Sequence, residues 1–169
     1  MRAAVLALAA LSLAVAQNPV PHELKEPEGH AVLFKLHTLP TSAQIYTCKT
    51  SADPAKPSAW TGPDPDAIVV SEDRTITIHH YKGPTWEATD GSFVMADGPH
   101  AKHFKAPRAN SVDWLELKAM NGTLKFATVD IIHRIETSGG VAPLMGCDAD
   151  QKQVRVPYSA TYLFYAPKY

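Results

Sequence analysis

Short segments of alternating apolar and polar residues, rich in Val, Ile, Thr and Tyr, recur along the chain between Gly, Pro and Asn-Gly turns. That pattern predicts an all-β protein. Outside residues 1–16 no stretch carries a convincing helical period, and 14 Pro with 9 Gly in 169 residues are too many chain breakers for a helix bundle. The expected architecture is a single antiparallel β-sandwich or barrel with long loops and one disulfide.

The chain opens with Arg2 and the small-apolar run Ala3–Ala16, interrupted only by Ser12 and ending in Ala14-Val15-Ala16. Residues 1–16 therefore read as a secretory signal peptide cut before Gln17. The run falls short of the roughly 20 residues that span a bilayer, so no membrane span is expected after cleavage. The expected location is secreted, periplasmic or extracellular. Residues 17–29, rich in Pro and Glu, form an extended lead-in, and residues 30–169 form the β-rich domain.

Strands are expected in chain order wherever period-2 alternation appears. His30–His37 places Val32, Phe34 and Leu36 on one side, and Ala43–Lys49 carries Ile45. Residues 50–66, with Pro, Asp, Ser and Gly, read as a long surface loop. Thr75–Tyr81 sets Ile76, Ile78 and His80 on one face against Thr75, Thr77, His79 and Tyr81. Val129, Ile131, His133 and Ile135 share a face opposite Asp130, Ile132 and Arg134. The last segment aligns Val154, Val156, Tyr158, Ala160, Tyr162 and Phe164, with Pro157 expected at an edge or bulge. Turns are expected at Lys82-Gly83-Pro84, Asp90-Gly91, Asp97-Gly98-Pro99, Asn121-Gly122 and Gly139-Gly140.

With 16 Lys+Arg against 17 Asp+Glu, the formal net charge is -1. That balance excludes a basic nucleic-acid binder and an acidic disordered tail. No Gly-rich dinucleotide fingerprint, Walker motif or nucleophile-elbow serine is present. In an exported chain, the two cysteines Cys48 and Cys147 are expected to form a disulfide, a thiol metal site or nucleophile being the weaker alternative. Asn121-Gly122-Thr123 is an N-glycosylation sequon, and its Asn-Gly step is equally a hairpin turn.

Eight histidines are about twice an ordinary share. His79 and His80 are neighbours on a strand and point to opposite faces, so they cannot easily share one ion. His80 lies on the apolar face and reads first as a buried ring hydrogen-bonded to Glu87 or a backbone carbonyl. The same reading holds more strongly for His133. His100-Ala101-Lys102-His103 sets two imidazoles near Asp97, ligand types that Cu or Zn accepts, although a site needs three or four convergent groups. Glu87 and Asp90 are a carboxylate pair that could do acid–base work if one pKa were raised. Asp90-Gly91 also reads as a turn, and Trp86 as a core or lid aromatic. The tyrosines Tyr158, Tyr162, Tyr165 and Tyr169, with Phe164, read as core rather than as sugar-stacking residues.

The ordered pieces Gln44-Ile45-Tyr46-Thr47-Cys48, His80-Tyr81, Gly83-Pro84-Thr85-Trp86-Glu87 and Asp90-Gly91-Ser92 resemble the domain-of-unknown-function family 3455. So do Trp114-Leu115-Glu116-Leu117, Arg134, Thr137-Ser138-Gly139-Gly140-Val141-Ala142-Pro143, Gly146-Cys147, Val156-Pro157-Tyr158 and Tyr162-Leu163-Phe164-Tyr165. The likeness runs from about Pro27 to Tyr165. It implies a small exported domain of the kind found in bacteria and fungi, disulfide-bridged and with no settled activity. Relatives labelled malate dehydrogenase find no support in this chain, which lacks a dinucleotide motif. The family pattern has Gln where His133 stands and does not require His100 or His103. The resemblance therefore leaves His80, Trp86, Glu87 and Asp90 as candidates for a shared site. A fainter architectural likeness to exported copper–zinc superoxide dismutases is analogy only, because the H-x-H strand pair is missing.

The function expected from the sequence is a secreted, non-catalytic domain that binds a ligand or cell-surface component or serves structurally. The alternative is a Cu- or Zn-binding protein or metal-dependent enzyme built on His80, His100 and His103 with Glu87 or Asp90. A metal-independent carboxylate enzyme at Glu87 and Asp90 is the third reading.

Overall fold

The computed structural model describes residues 24–53, 55–148 and 150–169. The expected signal peptide and residues 17–23 of the lead-in lie outside the described residues. The strands are β1 (His30–Thr38), β2 (Ala43–Lys49), β3 (Ala59–Ser71), β4 (Thr77–Tyr81), β5 (Thr85–Ala88), β6 (Phe93–Ala96), β7 (Lys102–Phe104), β8 (Trp114–Gly122), β9 (Ile131–Gly139) and β10 (Gln153–Pro167). A short 3-10 turn, Leu124–Phe126, joins β8 to β9.

These strands close into an antiparallel barrel of eight positions. Two positions are each filled by a pair of strands in tandem. β1 pairs with the C-terminal part of β10, and β2 with its N-terminal part, so the two lie end to end between β10 and β3. In the same way β6 and β7 pair with successive parts of β8. β9 fills the gap between β8 and β10 and closes the ring. The barrel form of the expected all-β fold is thus the observed one.

Alternation sends one face of each strand into a continuous core. Leu36, Val69, Ile78, Val94, Ile132 and Phe164 are fully buried in it. A smaller cluster lies outside the barrel wall, where Leu24 covers Ala106, Trp114 and Ile135. That cover alters the reading of β9. Ile132 belongs to the barrel core and Arg134 lines its cavity, while His133 and Ile135 face outward, yet all four are buried. The period is as expected, but both faces of this strand are inside the protein.

Two proline readings meet different outcomes. The loop expected over 50–66 ends at residue 58, because β3 starts at Ala59 and runs through Pro63 and Pro65. A strand tolerates proline only where no ladder bond is required. β3 meets β4 only from Asp66 onward, so both prolines lie where one side of the strand is unpaired. A register shift between Ile45 and Thr47 accommodates the same stretch on the β2 side. Pro157 closes the β10–β2 ladder opposite Ala43, one residue before pairing with β9 begins at Tyr158, so it too is locally at an edge.

Cys48 and Cys147 form the expected disulfide, 99 residues apart in sequence, and no cysteine is free among the described residues. It ties buried Cys48 in β2 to the segment between β9 and β10. On the chain-entropy model a loop of that length stabilises the fold by about 4.7 kcal/mol.

Candidate functional site

The barrel interior is plugged at one end and hollow at the other. The 3-10 turn inserts Phe126 against Phe34 and Phe164, with ring centroids 5.3 Å and 5.9 Å away. The opposite end holds a cavity of about 450 Å³. His80, Trp86, Leu117 and Tyr162 form its buried base, and Pro63, Pro84, Gly98, Ala101, Ser111 and Val141 stand around it.

The base is an aromatic cluster set by strand register. His80 on β4 pairs with Trp86 on β5, and the two rings stack with centroids 4.1 Å apart and planes 3° from parallel. Tyr162 from β10 meets both edge-on at 5.2 Å and 5.5 Å. The His80 Nδ1–H donates to the Thr85 carbonyl at 2.9 Å, which fixes the tautomer and leaves Nε2 without a proton in the neutral ring. Burial pushes the His80 pKa down to about 3; the Thr85 carbonyl opposes this shift and the Arg134 charge adds to it. Burial likewise raises the phenols of Tyr158 and Tyr162, whose hydroxyls meet at 3.1 Å.

Arg134 is the buried charged group of this cavity. It projects inward from β9 and is 9% exposed. Its Nε and Nη2 donate to the Asp113 carbonyl at 3.1 Å and 2.8 Å. That acceptor is neutral, and among the described residues no carboxylate pairs with the guanidinium. The two carboxylates that line the cavity are engaged elsewhere. Asp64 is paired with Lys82 at 2.9 Å and Asp113 with His103 at 3.2 Å.

Two lining residues also carry buried polar atoms without a partner among the described residues, both side-chain amide atoms of Gln44 and the Trp86 Nε1–H, as do Trp114, Asp130 and His133 away from the cavity. Gln44 is fully buried on β2.

The sequence candidates separate in space. His80 and Trp86 belong to the cavity. Glu87, next along β5, faces outward, is exposed, and accepts a hydrogen bond from the Tyr81 hydroxyl at 2.8 Å. Asp90 occupies the β5–β6 turn, where an ion pair with Lys125 at 2.8 Å and hydrogen bonds from Ser92 hold its carboxyl well below the usual range. Neither carboxylate reaches His80, whose partner is the backbone carbonyl. Hydrogen bonds likewise hold the carboxyls of Asp66, Asp73, Asp148 and Asp150 below their ordinary range, the direction opposite to that of a general acid.

His100 is exposed and pairs with Asp97 at 2.8 Å, while His103 on β7 pairs with Asp113 beside the cavity. Among the described residues no group of three or more His, Cys, Asp or Glu side chains is placed to hold a metal ion. His133 is buried outside the barrel with Nε2 3.3 Å from Glu116. Asn121 is exposed in β8 opposite Met95, so its Asn-Gly step ends a strand rather than making the turn.

Gln44, Tyr46, Arg134 and Tyr162 complete the site, and none of them stands out as a candidate in the sequence. One signal was available for Arg134: it is the lone charge within Ile131–Ile135. The family profile described as "Protein of unknown function (DUF3455)" matches residues 27–166. The chain belongs to the DUF3455 family. No curated protein and no solved structure gives a match to it. The match to the DUF3455 profile takes in every cavity residue named above.

Proposed function

We propose that this DUF3455 protein is an exported binding protein that holds a small organic molecule in the hollow end of its barrel and does not transform it. The observation that carries this reading is the cavity itself. Its volume suits a small ligand, its base is apolar and aromatic, and the Arg134 guanidinium lines it. Such a combination of apolar walls with a few convergent polar groups is the usual make-up of a ligand pocket. Export is supported by the disulfide and by the apolar leader, and no described helix is long and apolar enough to cross a membrane.

The test is thermal unfolding of the mature protein against a library of small organic compounds. Binding to the folded state alone raises the midpoint with concentration. The expected result is a set of compounds that raise it by several degrees and lose the effect in Ala101→Trp, which fills the cavity from a partly exposed position. No stabilising compound, or stabilisation unchanged by Ala101→Trp, overturns the reading.

A further inference from the structure

We propose that the ligand is a monocarboxylate with an apolar body, its carboxylate held by Arg134. This rests on the cavity being a binding site, and it adds the ligand's chemical class.

The argument begins with charge. Burying an ion is costly unless it is paired and hydrogen-bonded. Arg134 has hydrogen bonds from two of its nitrogens to a carbonyl, but no counter-charge among the described residues. Of the carboxylates nearby, Asp64 is paired with Lys82 and Asp113 hydrogen-bonds His103, so neither contacts the guanidinium at the buried end of the cavity. The surroundings register that charge. It opposes protonation of His80 and favours ionisation of Tyr46, Tyr158 and Tyr162.

Charge number and shape then select the anion. One guanidinium with no carboxylate in contact is matched by a monoanion, whereas a phosphate dianion would leave a surplus charge in a buried place. A guanidinium carries five N–H donors in a planar fork, and a carboxylate meets two of them side by side. The Asp113 carbonyl occupies one edge of that fork. The apolar body follows from the aromatic base of Trp86, His80 and Tyr162.

The experiment is calorimetric titration of the mature, disulfide-intact protein near pH 7.5. The probes are benzoate, phenylacetate, 2-naphthoate and decanoate, each paired with its primary amide. Carboxylate and amide are nearly isosteric and differ in charge. The expected result is that at least one carboxylate binds about 10- to 100-fold more tightly than its amide, the worth of charge-assisted hydrogen bonds. In Arg134→Met that preference collapses, and in Arg134→Lys part of it survives. Circular dichroism checks that the variants fold. If they do not, the preference in the unaltered protein decides.

Amides that bind as well as their carboxylates overturn the proposal and leave the cavity a site for neutral ligands. The proposal is equally overturned if none of the eight probes binds while neutral library compounds still stabilise the fold. If nothing binds and nothing stabilises, the binding reading falls as well.

Discussion

The His80 imidazole lies flat on the Trp86 indole at 4.1 Å, and both rings are almost completely buried. Cross-strand register between β4 and β5 makes the pair, and the Thr85 carbonyl locks the imidazole in place. A protonated ring there loses its hydration and faces the Arg134 charge, so the folded protein holds His80 neutral.

That neutrality sets a dependence on acid. The pKa of His80 is about 3 in the folded state against 6.5 ordinarily. Between those values the unfolded chain binds a proton that the folded chain refuses. Stability is therefore full above about pH 6.5 and falls as the pH drops toward 3, at up to about 1.4 kcal/mol per unit. His133, also depressed by burial, acts with the same sign, and the raised His30 acts with the opposite one. The paired carboxylates enter only below about pH 4. Urea unfolding at several pH values checks this, and His80→Phe should flatten the slope between pH 6 and 4.

Trp86→Ala should be among the most damaging single changes. It removes the largest fully buried side chain, which touches His80, Tyr162 and Phe164. A loss of about 3–5 kcal/mol is expected from chemical denaturation.

Glu87→Gln should do little. The carboxylate is exposed, outside the barrel, and bonded only to the Tyr81 hydroxyl. Stability should change by less than about 0.5 kcal/mol, and compound binding in the cavity should be unaltered. A large loss of binding would show that the outer face of β5 takes part.

Gly140→Ala should destabilise strongly, because two penalties coincide. The backbone has φ +84°, and an added Cβ would sit 2.9 Å from the Tyr158 Cβ and 3.1 Å from both Gln44 and Val112. A cost of about 1–3 kcal/mol is expected from the backbone conformation alone. Thermal melts of this variant beside Gly91→Ala, which shares the positive φ but has open space around it, separate crowding from conformation.

Replacing both cysteines by serine should remove about 4 kcal/mol or more, since the 99-residue separation makes this an unusually wide loop. Adding a reductant to the native protein should lower the melting midpoint in the same direction.

His30–His37, Ala43–Lys49, Thr75–Tyr81, Val129–Ile135 and the run ending at Phe164 carry the alternation, and each corresponds to an observed strand, whereas the nine-residue β8 is not among the expected ones. β5, β6 and β7 have four, four and three residues, too few for a period to declare itself. β3 was hidden by prolines that a strand accepts only where a neighbour is missing, which is a fact of topology. The site was half legible. His80 and Trp86 stood out as an unusual polar residue and a large aromatic on strand-forming segments. Arg134 and Gln44 did not, because what makes them distinctive is the carboxylate that Arg134 lacks and the burial of the Gln44 amide without a hydrogen bond. That becomes visible only once β2 and β9 are placed on one barrel.

The ring closes through β10, which pairs with β1, β2 and β9. It is the last strand in chain order, yet its partners include the first. A chain without residues 153–167 therefore has no closed barrel and leaves the edges of β1, β2 and β9 bare together. The strand that completes the barrel also supplies Tyr162 to the cavity, so the wall and the hollow it encloses are finished by the same fifteen residues.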